Sequence, residues 1–236
     1  FDRSAQTFIG RVKYDLYAES FIGGIFTDRE FLDGYSRLAG ADGNFRLGPT
    51  HATNFRAVTA RHRDLDGIER DGHMFDANIR KNGRNFSYSF GVFEVSPDFE
   101  TDVGFVRRTD QRNAGGNISY RWWPESWIIN WGPQFSYGRL WNFDGVLEDE
   151  NSGMRLNVLF ARNIRFDTSV DRDMERFGGI DFHKGRYSVS GSVNTNRTFQ
   201  VGGNFRQGDQ VFFDPDSPFL GRGTQAGVNA TVRPIS

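Results

Sequence analysis

The sequence predicts an all-β protein, an antiparallel up-and-down meander forming part of a transmembrane β-barrel, with about thirteen strands in this chain. Three observations carry that expectation. Apolar and polar residues alternate with period two, short joins alternate with longer polar stretches, and the composition suits pleated surfaces and turns. Among 236 residues there are 24 Phe and 28 Gly but only 3 Met, and aromatics make up 15%. Such a mix is rich in strand and turn formers and poor in helix formers.

Taken in order, the first segment sets Phe8, Val12, Tyr14 and Leu16 against Arg11, Lys13 and Asp15. Segment 21–31 holds apolar residues in both registers, so its facing stays open. In 72–82, His73, Phe75, Ala77 and Ile79 oppose Met74, Asp76, Asn78 and Arg80; in 86–95, Phe86, Tyr88, Phe90 and Val92 oppose Ser87, Ser89, Gly91 and Phe93. Segment 97–113 carries many charges and reads as loop. The clearest alternation lies in 127–142, where Trp127, Ile129, Trp131, Phe135 and Tyr137 face away from Ile128, Asn130, Gly132, Gln134, Ser136 and Gly138. Segments 153–162, 164–173, 186–195 and 225–233 repeat the rule. A helix would mix these charges and apolar groups on one face, so helix is rejected.

Tight joins recur at Ala18-Glu19-Ser20, Gly48-Pro49-Thr50, Asn82-Gly83-Arg84, Pro124-Glu125-Ser126, Arg162-Asn163 and Asn196-Arg197. Between them lie polar stretches at 64–71, 96–111, 142–152, 174–185 and 207–223. Strict short–long alternation predicts one rim of short turns and one of long loops. Strand cores of about 9–11 residues fit a tilted crossing of the hydrocarbon. Trp122, Trp123 and Trp127 flank one short turn, where an interfacial girdle would place them.

Bulk numbers exclude some classes. Lys plus Arg is 29 and Asp plus Glu is 30, leaving a net charge of −1 and no basic field for nucleic acid. There is no Cys, and no apolar run is long enough for a membrane helix. Mean hydropathy of −0.59 looks polar, yet in a membrane barrel only alternate residues meet lipid. Arg, Asp, Asn and Gln along the polar faces suit a wet lumen better than the packed interior of a soluble barrel. The outward set is then Phe75, Ile79, Tyr88, Phe90, Trp131, Phe135, Leu156, Val158, Phe166, Val189 and Val228. An odd strand count suggests that 1–236 is one β-barrel segment, an internal piece of a larger barrel.

No catalytic, cofactor or metal site emerges. His51, His62, His73 and His183 lack metal-ligand spacing, and phosphate-loop, dinucleotide and nucleophile-elbow signatures are absent. Acidic stretches occur at Asp64-Leu65-Asp66 with Glu69 and Asp71, at Glu148-Asp149-Glu150 and at Asp214-Pro215-Asp216; they solvate a loop rim, and such hard oxygen clusters could also take Ca²⁺. The candidate lumen-lining residues are Arg11, Lys13, Asp15, Arg46, Arg56, Asp76, Arg80, Gln134, Arg155, Arg165, Asp167 and Arg186. Mixed charge of this kind either sets pore selectivity or pairs across strands and fills the interior.

Several stretches resemble a large bacterial family of unknown function. They are Phe21-Ile22-Gly23-Gly24-Ile25-Phe26-Thr27-Asp28-Arg29-Glu30, Tyr35-Ser36-Arg37-Leu38-Ala39-Gly40-Ala41-Asp42, Pro97-Asp98-Phe99-Glu100-Thr101-Asp102-Val103-Gly104-Phe105-Val106-Arg107-Arg108-Thr109-Asp110, and Gly185-Arg186-Tyr187-Ser188. Members of that family join a carbohydrate-binding family-nine-like domain to a C-terminal outer-membrane barrel. The resemblance implies a Gram-negative outer-membrane location. It also implies as partners the membrane lipid, the remainder of the barrel and an N-terminal carbohydrate-binding-like domain. It brings no active site with it.

The leading expectation is a porin-like passive channel or uptake barrel for polar solutes such as oligosaccharides. The alternatives are a structural or surface-binding barrel with a blocked lumen, and a glycan-hydrolase-like enzyme working at the long-loop rim.

Overall fold

A computed structural model describes residues 4–195 and 199–233. Among them the chain forms thirteen strands in sequential order, each hydrogen-bonded to its neighbours in the chain. They are β1 (Gln6–Tyr17), β2 (Ser20–Phe31), β3 (Gly34–Arg46), β4 (His51–Arg63), β5 (Glu69–Asn82), β6 (Phe86–Val95) and β7 (Gln111–Tyr120). After these come β8 (Ile128–Trp141), β9 (Leu147–Phe160), β10 (Ile164–Phe177), β11 (Ile180–Val193), β12 (Phe199–Phe212) and β13 (Phe219–Val232). The all-β antiparallel meander is therefore as the alternation predicts. The Asn196-Arg197 join lies outside the described residues.

The chain divides into two compact units. The first comprises Phe1–Asn82, Ser89–Gly115 and Leu140–Val146; the second comprises Gly83–Tyr88, Gly116–Arg139 and Leu147–Ser236.

In the first unit the antiparallel register from β1 to β5 sorts side chains into two faces. One row runs Val12, Gly24, Ala41, Ala57 and Phe75, and the next, on the opposite face, runs Lys13, Gly23, Asp42, Arg56 and Asp76. Period-two geometry makes this sorting automatic once the register is set. The second unit repeats it. Met154, Val170 and Tyr187 share one face, while Gly153, Asp171 and Arg186 share the other. Aliphatic and aromatic groups on the first of these faces stand in the open, with Met154 61% and Val170 57% exposed although both lie on interior strands.

The joins depart from strict short–long alternation. Polar stretches 174–185 and 207–223 are mostly strand: β10 and β11 meet at Gly178 and Gly179, and β12 and β13 are separated only by 213–218. Both glycines take positive φ, 58° and 80°, which a two-residue hairpin requires. Charges made these stretches read as loop, but they extend the ladder by pairing across strands. Arg176 Nε donates to Asp181 at 2.6 Å, and Lys184 pairs with Glu175 on the opposite face. The join between β2 and β3, Leu32 and Asp33, is also tight, with Leu32 at φ 56°. Among the described residues the longest connection is 96–110, between β6 and β7.

At the short-turn rim of the second unit the tryptophans cluster. Trp122 stacks on Trp131 with ring centroids 4.4 Å apart, Trp127 stacks on Phe160 at 5.2 Å, and the Trp123 indole donates to the Arg84 carbonyl at 3.0 Å. The Trp123 N–H thus finds a partner and its ring lies under the Arg84 and Arg121 guanidinium groups, while Trp122 and Trp127 remain exposed.

Candidate functional site

The site lies wholly in the first unit, where the 96–110 connection folds onto the charged face of β2–β6. Ser96-Pro97-Asp98-Phe99 begins it as a β-turn, with the Phe99 amide donating to the Ser96 carbonyl at 3.2 Å. Pro at the second position presets the φ this turn needs. Ser96 is tied to β5 twice: its amide donates to the His73 carbonyl at 2.9 Å, and its hydroxyl accepts from the His73 amide at 2.8 Å.

The turn throws the chain across Gly72. A Cβ there would stand 2.3 Å from the Phe99 Cα and 2.4 Å from its nitrogen, so only glycine admits this passage. Phe99 then packs with Val58, Ala60 and Val95 as a small buried core, flanked by Leu38, Met74, Phe93 and Val106. These apolar groups stand on a face that is otherwise charged, and the loop is what covers them. Burying a phenylalanine contributes about 1.5–3 kcal/mol. Phe99→Ala is therefore expected to loosen the connection by roughly that amount. Amide exchange across 96–110 should quicken while the β9–β13 ladder is unchanged; equal protection in both proteins would show that Phe99 does not anchor it.

Beyond Phe99 the loop is held by charge. Asp102 accepts from Arg29 and its amide donates to the Ser36 hydroxyl at 3.0 Å; Arg70 donates to Glu100 at 3.1 Å. His62, only 7% exposed, lies between these two carboxylates, with Nε2 3.4 Å from Asp102 and Nδ1 3.6 Å from Glu100. Partly exposed ion pairs add little stability one by one, about 0–1 kcal/mol. Their effect here is to select one seating of the loop.

The lumen candidates fall as follows. Register places Arg11, Lys13, Asp15, Arg46, Arg56, Asp76 and Arg80 on one face of β1–β5. Arg155, Arg165, Asp167 and Arg186 share one face of β9–β11. Gln134 belongs with the latter set, because Ser136 and Gly138 of the same strand contact Gly153 and Asn151. The structure brings only some of them into contact. Arg56 Nε donates to Asp76 at 2.7 Å, and Arg11 grips both oxygens of Asp42 at 2.8 and 3.0 Å. Asp42, Arg29, His62, Arg70, Glu100 and Asp102 are the participants that periodicity missed. The available signal was Ile25: an apolar residue on the polar register of β2 implies that something covers it.

The acidic stretches do not converge. Asp64 accepts from the amides of Asp66 and Ile68, and Asp214 from those of Asp216 and Ser217, so each closes its own turn. Glu148 to Glu150 lie along β9 and alternate faces. Among the described residues no three His, Asp or Glu side chains gather as metal ligands.

Between the loop and the strands is a cavity of about 480 Å³. Ile25, Val58, Met74 and Phe93 form apolar parts of its wall, and Arg11, Arg56, Arg107 and Arg108 line it as well. Thr27 lines it too; it is 4% exposed, and its hydroxyl has no hydrogen-bond partner among the described residues. An unsatisfied buried hydroxyl costs about 1–3 kcal/mol.

The chain matches no protein-family model and no curated protein.

Proposed function

We propose that this chain is wall of a Gram-negative outer-membrane β-barrel, a passive channel for polar solutes such as oligosaccharides, narrowed by the 96–110 connection. The observation that carries this reading is the two-faced ladder. In each unit one face exposes apolar side chains, Phe26 and Ile79 in the first and Phe135, Met154 and Val170 in the second, while the opposite face of each bears charges and, in the first, the folded-in loop. An apolar band of that extent is a liability in water and a requirement in hydrocarbon. The tryptophan cluster at the short-turn rim fits a membrane interface. The resemblance to the barrel family with a carbohydrate-binding-like domain points the same way, and would make that domain and the membrane lipid its partners.

The loop itself favours a second reading, in which it blocks the lumen and the barrel serves as a structural or binding surface. Planar-bilayer recording of the full-length protein separates the two. A channel gives ohmic steps, and the steps should grow when Glu100 and Asp102 are both replaced by Ala, since the loop then loses its anchors. Silence from the wild type together with steps from the double variant would establish the blocked barrel. Silence from both would remove the channel reading.

A further inference from the structure

We propose that the charged face of β9–β12, within the second unit, binds acidic oligosaccharides, polyhydroxylated chains that carry anionic groups. This deepens the functional reading and rests on its assignment of that face to the lumen, because it names the charge class of the solute.

Position comes first. Register puts Arg155, Ser169, Ser188 and Arg206 in one cross-strand row. Arg165 stands on the same face, four residues from Ser169 towards the turn at 161–163. Strands about 4.8 Å apart, rising about 3.4 Å per residue, hold these three arginines with their α-carbons roughly 14–17 Å from one another.

Charge decides the sign of the ligand. Among the described residues no carboxylate pairs with Arg155, Arg165 or Arg206. Asp167 is the one carboxylate on their half of the face, so three guanidinium groups stand against a single acid. On the other half the charges face one another. Arg186 lies 3.4 Å from Asp173 and 3.9 Å from Asp171, and Lys184 pairs with Glu175. A guanidinium fork recognises a carboxylate through two parallel hydrogen bonds, and three forks so spaced suit a chain with several anionic groups.

The neighbours decide the body of that chain. Asn157, Ser190 and Asn204 share a row with Asp167, between the arginines. Each offers both a donor and an acceptor, which suits sugar hydroxyls. An alkyl anion would desolvate these groups without pairing them.

A hollow in the wall is the independent observation. It has a volume of about 180 Å³ and opens beside Arg206, between Arg186 and the side chains of Gln210 and Gln225. That is roughly the room of six waters, enough to seat one carboxylate. Asp209, also at its edge, accepts from the Gly185 amide at 2.9 Å and lies 3.7 Å from Arg222.

The test is isothermal titration of trigalacturonate into the full-length protein in zwitterionic nanodiscs at low salt, with maltotriose as the neutral trisaccharide. Trigalacturonate should bind at least about tenfold more tightly, and the preference should shrink as added salt screens the charges. Arg155→Gln, Arg165→Gln and Arg206→Gln combined should abolish the preference. Arg172→Gln, on the opposite face of β10, should leave it unchanged. Circular dichroism confirms the fold of each variant. If the triple variant does not fold, Arg155→Gln and Arg206→Gln singly should each weaken trigalacturonate several-fold. Equal affinity for the two sugars, an unchanged preference in the arginine variants, an equal loss in Arg172→Gln, or no binding by the wild type at millimolar probe would each overturn the proposal. Binding is read without conductance. A silent barrel that prefers trigalacturonate loses the channel reading alone, and a conducting barrel indifferent to charge loses this inference alone.

Discussion

Phe135→Arg is expected to lower folding yield into lipid bilayers sharply, while Gln134→Arg is mild. The two residues are neighbours in β8 and point to opposite faces. Phe135 is 44% exposed on the apolar face. Gln134 shares the face on which Ser136 meets Gly153 and Gly138 meets Asn151, among polar groups and backbone. An arginine on the lipid face near the midplane costs about 2–4 kcal/mol, whereas a lumen position tolerates charge. Measured as heat-modifiable folded protein in lipid vesicles, the Phe135 variant should fall well below the Gln134 variant. Similar yields, or a harsher Gln134 change, would refute the facing. A protein that also stays dispersed without detergent would refute the membrane reading.

Gly72→Val is expected to expel the 96–110 connection from its seat. The added Cβ would meet the backbone of Phe99, not the end of a flexible side chain, so the loop cannot give way in place. Losing the seat removes the Phe99 packing and the Glu100 and Asp102 anchors together. Each ~1.4 kcal/mol lost raises the open population about tenfold, and cleavage follows that population when opening is fast. Trypsin should therefore cut after Arg107 or Arg108 at least about tenfold faster than in the wild type. Unchanged cleavage would show that the loop is not held over Gly72. Gly72→Ala should act in the same direction, since the clash begins at Cβ.

These two expectations draw on different kinds of information. The first was legible in the chain: Trp131, Phe135 and Tyr137 alternate with Gln134, Ser136 and Gly138, and a pleated strand turns that alternation into two faces. The second was not. Gly72 carries no sign in the sequence of the backbone that crosses it, and the charges of 97–110 mark a loop without saying which face it folds onto. The strands also run longer than the local pattern predicts, for a related reason. Local reading counts charges such as Glu175, Lys184 and Asp209 as solvated loop, whereas pairing across the ladder keeps them in strands.

The sequence by itself determined the all-β antiparallel meander, the facing of most strands and the shared face of Arg11, Lys13, Arg56 and Asp76, because period two is a local property. Only the tertiary structure decided that 96–110 lies on that charged face, that Ile25, Val58 and Met74 belong beneath it, and that Arg29 and Arg70 hold it there. Those contacts join residues far apart in the chain, and no local period encodes the meeting of a loop with the strands it covers.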